Sequence, residues 1–498
     1  MWSDKGIDQS LLDIGFLSEN MILKTDSYKI GHWLMLPDGT QGFFSYAGPR
    51  GFIKGLDKAV FWGLNLILRR CFSKKLTMAD VRRAKRFSDR HLGPGIFNEE
   101  GWNTIVTEFG GNLPLRVRAI PEGSVTRANV APFTVECTDS RFGWLVSYFE
   151  PLWLQSWHAS TVASISLQSR INIGKYWKET VDDDRQGGLD FALHDFGFRG
   201  VSSVESAGGG SGHLLSFFGT DTMQAIAVLY DFYGLDEADD ASMPAFSVLA
   251  TEHSVMGANA DAATKNDYEA LRMAVNLLSK RGKGAIVSAV ADLYEPFRFA
   301  KWVSTDFKEQ IEQSGGRFVV RPDSGVPKDV VLQIIEILME GFGYTINKKG
   351  YRVLPDCIRV LQGDGINLYS IPEILEHLKL NGISAENIVF GMGGGLLQHC
   401  DRDWMKYAMK GAAINVDGEW KDIYKEPITD PGKTSLRGRI TTVMREGEFV
   451  SVRIEDVLPT DVDMMAVVFE DGEIFNEPNF IEARSGIQKY AADQIALA

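Results

Sequence analysis

Cysteine is scarce in this chain, and long apolar runs are missing. Four cysteines occur among 498 residues, at positions 71, 137, 357 and 400, with no CxxC spacing. This pattern excludes a zinc ribbon and a disulfide framework. The longest apolar run, AVFWGLNLIL, is too short to span a bilayer. The polar start MWSDKGIDQS is unlike a signal peptide. We therefore expect a cytoplasmic protein that does not enter membranes.

Acidic residues outnumber basic ones, with 66 Asp and Glu against 52 Lys and Arg. The net charge of −14 argues against a general nucleic-acid binder, because phosphate attraction dominates such binding. One basic segment is the exception, with Arg69, Arg70, Lys74, Lys75, Arg82, Arg83, Lys85, Arg86 and Arg90. We interpret it as a solvated helix face that begins with a capping box of Thr77 and Asp80. The alternative is an anion-attracting surface, which would suggest a nucleic-acid or interaction protein and is tested by a gel shift at physiological salt.

No low-complexity linker divides the chain, and its most informative regularity is an alternation of strands and helices. Between residues 190 and 400, apolar β-prone runs end repeatedly in polar or glycine clusters, marked by His253, Asp292, Asp323, Asp364 and Gly393. The markers recur about every 30 to 40 residues, roughly one βα unit each. This predicts an α/β fold with parallel strands. A doubly wound sheet and a (β/α) barrel both fit, and polar residues at nearly every strand end favour the barrel.

The flanks on either side of this region mix short strands with helices. We expect a (β/α) barrel-like catalytic domain over residues 161–405 and one α+β domain built from residues 21–160 and 406–498. We expect residues 1–20 to be an N-terminal extension.

The stretch GMGGG at 391–395 is the strongest local signal. It lacks the Gly-Lys-Ser/Thr of a Walker A loop, and Leu396 replaces the third glycine of a dinucleotide fingerprint. What remains is a glycine-rich strand-to-helix turn whose N–H groups suit an anion, or a plain tight turn. The neighbouring QGDG at 362–365 favours phosphate binding.

Charged side chains follow the other strands. Arg199, Arg321 and Arg402 suggest a highly anionic substrate. Asp292, Asp323 and Asp364 suit a metal, sugar hydroxyls or acid–base chemistry, with glycoside hydrolysis as a minor alternative.

A histidine beside a carboxylate, Glu252-His253, ends another strand. It reads as a buried core histidine, or as a base or phosphoryl acceptor oriented by Glu252 or Asp292.

Taken together, these motifs resemble the nicotinamide phosphoribosyltransferase family, the type II phosphoribosyltransferases of NAD salvage. The matching stretches from Met21 onward are KTDSYKIGH (24–32), FNEEGWN (97–103), LHDFGFRGVSS (193–203), GTDT (219–222), EHS (252–254), RPDSG (321–325), QGDGIN (362–367), GGGLLQ (393–398) and RD (402–403). The segment SAGGGSGH (206–213) is richer in glycine than this family's usual pattern. The resemblance implies an irregular α/β barrel joined to an α+β domain, and a homodimer with shared active sites.

The resemblance also implies the reaction and its residues. Nicotinamide and phosphoribosyl pyrophosphate would give nicotinamide mononucleotide and pyrophosphate. Phe196 would stack on the nicotinamide ring, opposite Tyr28 of the partner subunit, and Asp221 would accept a hydrogen bond from the carboxamide. A nicotinate phosphoribosyltransferase is the alternative, although Asp221 would repel a carboxylate substrate.

The remaining roles concern phosphate, metal and ATP. By the same resemblance, the catalytic set is His253, Asp292 and Asp323, and the two aspartates would hold ribose hydroxyls or Mg²⁺. His253 would accept a phosphoryl group from ATP, a coupled but non-obligatory co-substrate. Arg199 and Arg321 would line the pyrophosphate site. The 5′-phosphate and its ribose would be bound by Gly363, Asp364, Gly393 and Gly394, and further phosphate contacts would come from Arg402, Lys410 and Lys425.

Overall fold

The computed structural model describes residues 16–429 and 434–497. Within them the chain forms two compact units. The first contains the described residues through Thr161, residues 232–234 and residues 402–479. The second contains residues 162–231, 235–401 and 480–497. Most of the predicted extension, residues 1–15, lies outside the described residues.

The helices and strands are labelled here in chain order. The α-helices are α1 Leu64–Ile67, α2 Met78–Leu92, α3 Glu99–Glu108, α4 Leu145–Tyr148, α5 Glu150–Leu154, α6 Ser156–Thr180, α7 Val204–Gly208, α8 Met223–Phe232, α9 His253–Asn259, α10 Tyr268–Arg281, α11 Pro296–Ser304, α12 Lys308–Ser314, α13 Pro327–Phe342, α14 Ser370–Leu380, α15 Gly394–Leu397 and α16 Phe480–Leu497. The strands are β1 Thr40–Gly48, β2 Ala59–Val60, β3 Leu115–Ala119, β4 Val125–Thr126, β5 Phe133–Cys137, β6 Leu193–Asp195, β7 Gly219–Thr220, β8 Leu249–Ala250, β9 Ile286–Val290, β10 Arg317–Arg321, β11 Thr345–Ile346, β12 Arg352–Val353, β13 Ile358–Gln362, β14 Ile388–Met392, β15 Ala408–Val416, β16 Glu419–Asp422, β17 Ile440–Arg445, β18 Glu448–Arg453, β19 Val462–Asp463, β20 Ala466–Glu470 and β21 Glu473–Ile474.

The second unit is built on a seven-stranded parallel sheet in the order β7-β6-β14-β13-β10-β9-β8. Its central strands are buried because helices cover them, and every residue of β13 is buried. The connecting helices carry clear sequence signals. Helix α13 begins with Pro327 in its first turn and ends before Gly343, whose φ of 78° suits glycine.

The two edges of this sheet meet. The Thr220 N–H donates to the carbonyl of Phe246 (3.1 Å), and the Phe246 N–H donates to the carbonyl of Phe218 (2.7 Å). Phe246 lies three residues before β8, so these bonds join the β7 edge to the chain entering β8. The barrel-like parallel fold predicted from the strand ends is confirmed.

The first unit is α+β, as expected of the flanks. Its seven-stranded sheet has the order β16-β15-β1-β5-β3-β20-β21, and all of its pairings are antiparallel. Strands from both ends of the chain alternate in this sheet, which explains why neither flank reads as a complete domain by itself. Aromatic side chains fill the core; Phe72 stacks on Trp153 with ring centroids 3.7 Å apart.

The second half of the basic segment, from Arg82 to Arg90, lies in helix α2, and the predicted capping box is present. Arg69 and Arg70 precede it in the short helix Leu68–Phe72. The Asp80 N–H donates to Thr77 Oγ1, and the Thr77 N–H donates to the Asp80 carboxylate. Arg82, Arg86 and Arg90 are exposed along the helix, as the interpretation of a solvated face requires.

The C-terminal helix α16 belongs to the second unit, whereas the sequence-based boundaries assigned residues 406–498 to the α+β domain. Arg484 explains this packing. Its buried guanidinium donates to the carbonyls of Leu214 (2.8 Å) and Pro244. These acceptors lie far away in sequence, so the helical pattern of residues 480–497 could not reveal them.

None of the helices within residues 16–429 and 434–497 is long and apolar enough to cross a lipid bilayer.

Candidate active site

The carboxyl edge of the parallel sheet brings most of the predicted site residues together. Because parallel strands end at one edge, the residues that follow them share it. These are Phe196 and Arg199 after β6, Asp221 after β7, His253 after β8, Asp292 after β9, Arg321 and Asp323 at the end of β10, Gly363 and Asp364 after β13, and Gly393 and Gly394 after β14. The strand order therefore gathers residues that are far apart in the chain.

A histidine and two carboxylates form the most closely packed part of this edge. The ligand atoms of His253, Asp292 and Asp323 all lie within 4.8 Å of one another. His253 Nε2 lies 3.0 Å from Asp292 Oδ1. With a proton on Nε2, the imidazole donates to Asp292 and leaves the lone pair of Nδ1 available. Glu252 does not take the same role, since its carboxylate accepts a hydrogen bond from the Ser254 hydroxyl.

Asp323 is a partly buried carboxyl of this cluster. Burial raises the pKa of its carboxyl; Arg321 opposes the rise, and Asp292 adds to it. Two carboxylates so close together favour either a shared proton or a bound cation. Their oxygen atoms are the donors that Mg²⁺ prefers, so the cluster fits that ion.

Phe196 occupies the space that the glycine-rich turn leaves open. A Cβ atom at Gly391 would overlap the Phe196 ring, and one at Gly363 would lie 3.8 Å from it. The Phe196 N–H donates to the carbonyl of Met392 (3.0 Å), which fixes the ring at the end of β14. Gly391 is therefore required by an aromatic side chain of this protein.

The other glycines of this turn have different neighbours. At Gly395, a Cβ would lie 2.6 Å from the carbonyl oxygen of Ile366. At Gly393, the nearest atom is the carbonyl oxygen of Phe196, at 3.2 Å, and at Gly394 it is the His399 ring, at 3.0 Å. Close packing thus accounts for Gly391 and Gly395, and the predicted phosphate contacts of Gly393 and Gly394 remain predictions.

Asp221 is held by a serine that sequence reasoning missed. The Ser247 hydroxyl donates to Asp221 Oδ1. The Asp221 N–H donates to the carbonyl of Asp195 (2.9 Å). The main chain of Asp221 is thus joined to the residue before Phe196, and its side chain is exposed. Ser247 lies in an irregular segment before β8, where no motif marks it.

The two arginines of this edge differ in burial. Arg199 is exposed on the turn Phe198–Gly200, where it is accessible to an anion. Arg321 is partly buried and donates to the carbonyl of Thr251 (3.2 Å). That bond orients the guanidinium toward the strand ends of β8 and β10, a further contact with no signal in the sequence. Asp364 is placed by Gln362, whose Nε2 donates to its carbonyl (2.9 Å).

A cavity of about 490 Å³ lies inside this barrel. Its lining includes His194 and Ser247, which adjoin Asp221, together with Phe191, Phe246, Val319 and Leu361. Charged residues Arg185, Arg317, Arg359 and Glu386 complete it near the amino ends of the strands. Ser247, which holds the Asp221 side chain, therefore borders a mostly apolar cavity.

The remaining predicted residues lie in the first unit. Tyr28 is 60% exposed, yet its surroundings are ordered. Lys29 is buried and donates to Glu150 Oε2 (2.5 Å), and its Nζ lies 5.2 Å from the centroid of the Tyr28 ring. The centroid of the His32 ring lies 5.2 Å from that of Tyr28, and both residues belong to the short 3-10 helix Ser27–Leu34. The Tyr28 ring is therefore exposed, and the neighbouring Lys29 and His32 side chains contact it.

Lys410 lies in a basic cluster of the first unit that also adjoins Glu150. Burial lowers the pKa of Lys410; the positive charges of Arg50, Lys425 and Arg402 lower it further, and Glu150 opposes them. The positive charges of two further predicted phosphate contacts, Arg402 and Lys425, therefore act on Lys410, and Arg50 joins them. Such a group of cations is stabilised by a bound anion.

The comparisons with known proteins agree with this architecture. Residues 191–472 match the nicotinate phosphoribosyltransferase (NAPRTase) family, and residues 20–117 match the nicotinamide phosphoribosyltransferase N-terminal domain. The chain therefore belongs to the nicotinate phosphoribosyltransferase family, and the resemblance drawn from its motifs is confirmed.

Two similar proteins carry the name nicotinamide phosphoribosyltransferase. A nicotinamide phosphoribosyltransferase of Xanthomonas campestris is 41% identical over 476 residues, which cover 94% of this chain and 98% of the relative. The protein of the same name from Acinetobacter baylyi is 29% identical over 501 residues, covering 93% and 96%.

Solved structures support the fold alone. Nicotinate-nucleotide pyrophosphorylase from Pyrococcus furiosus superposes with a TM-score of 0.60 at 15% identity, covering 100% of both chains. Human nicotinic acid phosphoribosyltransferase superposes with a TM-score of 0.51 at 15% identity, covering 94% of this chain and 93% of the other.

The contact between Gly391 and Phe196 generates a test. Gly391→Ala should force the Phe196 ring to move and lower the free energy of unfolding by about 1–3 kcal/mol, the usual cost of overpacking. In a Phe196→Ala background the same change should cost much less, because the space is then free. Thermal melting of the four proteins measures this coupling. Gly486→Ala is the control, since its Cβ would meet no atom within 4 Å. An equal cost in both backgrounds would show that the ring is not the obstacle.

Proposed function

We propose that this chain transfers the phosphoribosyl group of phosphoribosyl pyrophosphate to nicotinamide, forming nicotinamide mononucleotide and pyrophosphate in NAD salvage. The observation that carries the proposal is that Phe196 and Asp221 follow the paired strands β6 and β7, and that the Asp221 N–H bonds to the residue before Phe196. An aromatic face stacks on a flat pyridine ring, and a carboxylate accepts a hydrogen bond from its amide. The names of the relatives point to the same substrate.

The chemistry asks the protein mainly for position and charge. The bond from ribose C1 to pyrophosphate breaks as the pyridine nitrogen forms its bond, through a state in which the ribose is cationic. Arg199 and Arg321 supply positive charge for the leaving pyrophosphate, and the sheet edge holds both reactants in place. Mg²⁺, held by Asp292 and Asp323, would neutralise further charge on the pyrophosphate.

Base selectivity tests the role of Asp221. Asp221→Asn keeps the shape of the side chain and removes its charge. The kcat/KM for nicotinamide should fall roughly tenfold to a hundredfold, since hydrogen bonds to charged groups contribute about 1.5–3 kcal/mol. Discrimination against nicotinate should weaken, because a carboxylate no longer repels a carboxylate.

Mononucleotide formation from each base, with the KM for phosphoribosyl pyrophosphate as the internal control, measures this selectivity. If the variant keeps the wild-type preference for nicotinamide over nicotinate, Asp221 does not recognise the amide group. If the wild-type protein prefers nicotinate, the proposal that nicotinamide is its substrate is wrong.

We propose further that the active enzyme is a homodimer and that Tyr28 of the partner subunit completes the base site. Two observations support this proposal. The Tyr28 ring is exposed beside the buried Lys29, and the same unit contains a basic cluster that suits phosphate. A ring left this exposed gains free energy when a second flat surface covers it.

Subunit mixing tests the shared site. Tyr28→Ala and Asp221→Ala should each be weakly active alone. In a mixed dimer one site carries both defects and the other neither, so activity should recover toward one wild-type site for each heterodimer. The measurement is turnover after subunit exchange, verified with differently tagged chains. Mixing either variant with itself is the control. Absence of recovery after proven exchange would place each site within a single chain.

The third proposal concerns ATP. His253 presents Nδ1 while Nε2 faces Asp292, the arrangement of an oriented nucleophile. Nδ1 attacks the γ-phosphorus of ATP, the bond from phosphorus to the bridging oxygen breaks, and ADP leaves. Water later hydrolyses the phosphohistidine to release phosphate. The added negative charge beside the pyrophosphate site couples ATP turnover to substrate affinity.

His253→Ala separates the two activities. The side chain is half exposed, so its loss should leave the melting temperature nearly unchanged. The variant should lose ATP hydrolysis and any ATP-dependent gain in nicotinamide affinity, while transfer continues slowly. ATPase and mononucleotide assays, each with and without ATP, measure both activities. His377→Ala, a surface histidine of α14, is the matched control. Hydrolysis at the wild-type rate in the His253 variant would exclude this histidine as the acceptor.

A further inference from the structure

Asp195 is a fully buried carboxyl to which the proposed reaction has given no role. It ends strand β6, directly before Phe196, and its side chain is 0% exposed. Burial raises the pKa of this carboxyl to about 6, although the Gly197 N–H lowers it. Burying an acidic group is costly, so its hydrogen bonds indicate what the residue is for.

The first of these bonds reaches the turn that carries the stacking ring. The Gly197 N–H donates to Asp195 Oδ1 at 2.7 Å. Together with the bond from the Phe196 N–H to Met392, it holds the main chain on both sides of Phe196. A donor from outside the turn adds a further bond, because Gln398 Nε2 donates to the carbonyl of Gly197 (2.7 Å).

The other bonds reach the loop that carries Asp221. The Thr220 hydroxyl lies 3.5 Å from Asp195 Oδ2, at the long end of hydrogen bonding, and it accepts the Thr222 N–H (2.9 Å). The main-chain carbonyl of Asp195 accepts the Asp221 N–H (2.9 Å). Asp195 therefore contacts the residue before Asp221 through its side chain and Asp221 itself through its main chain.

The glycine-rich segment 206–213 makes room for this carboxylate. A Cβ atom at Gly210 would lie 2.7 Å from Asp195 Oδ2. Gly210 is buried and has no positive φ, so close approach explains the glycine better than backbone conformation does. The unusual composition of this segment is thereby linked to the base site.

We infer that Asp195 is a positioning residue that fixes the Phe196 ring and the Asp221 carboxylate relative to each other, so that both engage the same base. This inference rests on the proposed function, because it concerns the recognition of nicotinamide. Asp195 touches neither substrate. Its loss should weaken binding of the base and leave binding of phosphoribosyl pyrophosphate nearly intact.

Asp195→Leu removes both acceptor oxygens and should raise the KM for nicotinamide about tenfold, with the KM for phosphoribosyl pyrophosphate changing less than about twofold. Asp195→Asn keeps an acceptor for the Gly197 N–H, so it should recover most of the loss. Asp190→Leu is the matched control. Asp190 pairs with Arg170 (2.7 Å) in the same unit, so its loss should lower stability without changing the KM for nicotinamide.

Gly210→Ala provides a second test that removes no hydrogen-bonding group. Its Cβ should displace the Asp195 carboxylate and reproduce the rise in the KM for nicotinamide. Gly187→Ala, which meets no atom within 4 Å, should not. This variant decides the matter if Asp195→Leu fails to fold.

Crystal structures of the variants separate this inference from the proposed function. A shift of the Phe196 ring and Asp221 in the Gly210 variant supports the positioning role even if the wild type does not use nicotinamide. Unmoved side chains, or KM values for both substrates that rise together as stability falls, would overturn it.

Discussion

Parallel hydrogen bonding between seven strands is the constraint on which the candidate site depends. It sends the chain back through a helix after nearly every strand and therefore leaves every strand end on one edge. His253, Asp292 and Asp323 are separated by dozens of residues, yet their ligand atoms lie within 4.8 Å. The short bridge at Phe246 completes this arrangement, because it brings the end of β7 beside the chain entering β8. Asp221 and Ser247, which lie on either side of that bridge, can then share a hydrogen bond.

Small residues and one aromatic ring set the shape of the edge. The Phe196 ring fills the space above Gly391, and the Asp195 carboxylate fills the space beside Gly210. In both cases the glycine serves another part of the same chain. A glycine-rich turn at a strand end is therefore incomplete evidence for a phosphate, since packing against a neighbouring side chain places the same demand on the backbone.

Periodicity and strand-end chemistry were enough to predict the parallel barrel, the α+β flanks and the residues gathered at the carboxyl edge. The capping box of Thr77 and Asp80 was readable because its partners are three residues apart. Contacts formed by tertiary folding were not readable. Ser247 lies in an irregular segment, and Arg50 is far in sequence from Lys410. Arg484 bonds to main-chain carbonyls, which every residue type has, so the sequence does not mark these acceptors. For Asp195, the motif placed the residue in a strand, and only its burial against Gly210 and Thr220 distinguishes it from an ordinary strand residue.

The support beneath Tyr28 has an entropic consequence. Lysine is among the side chains that lose most conformational freedom when ordered, and Lys29 has lost it within the folded unit by pairing with Glu150. The tyrosine ring contacts this cation and His32, while 60% of the residue's surface stays exposed. A flat molecule that settles on the exposed surface does not have to immobilise the ring. More of the stacking free energy is then available as affinity, which is the advantage of preorganisation.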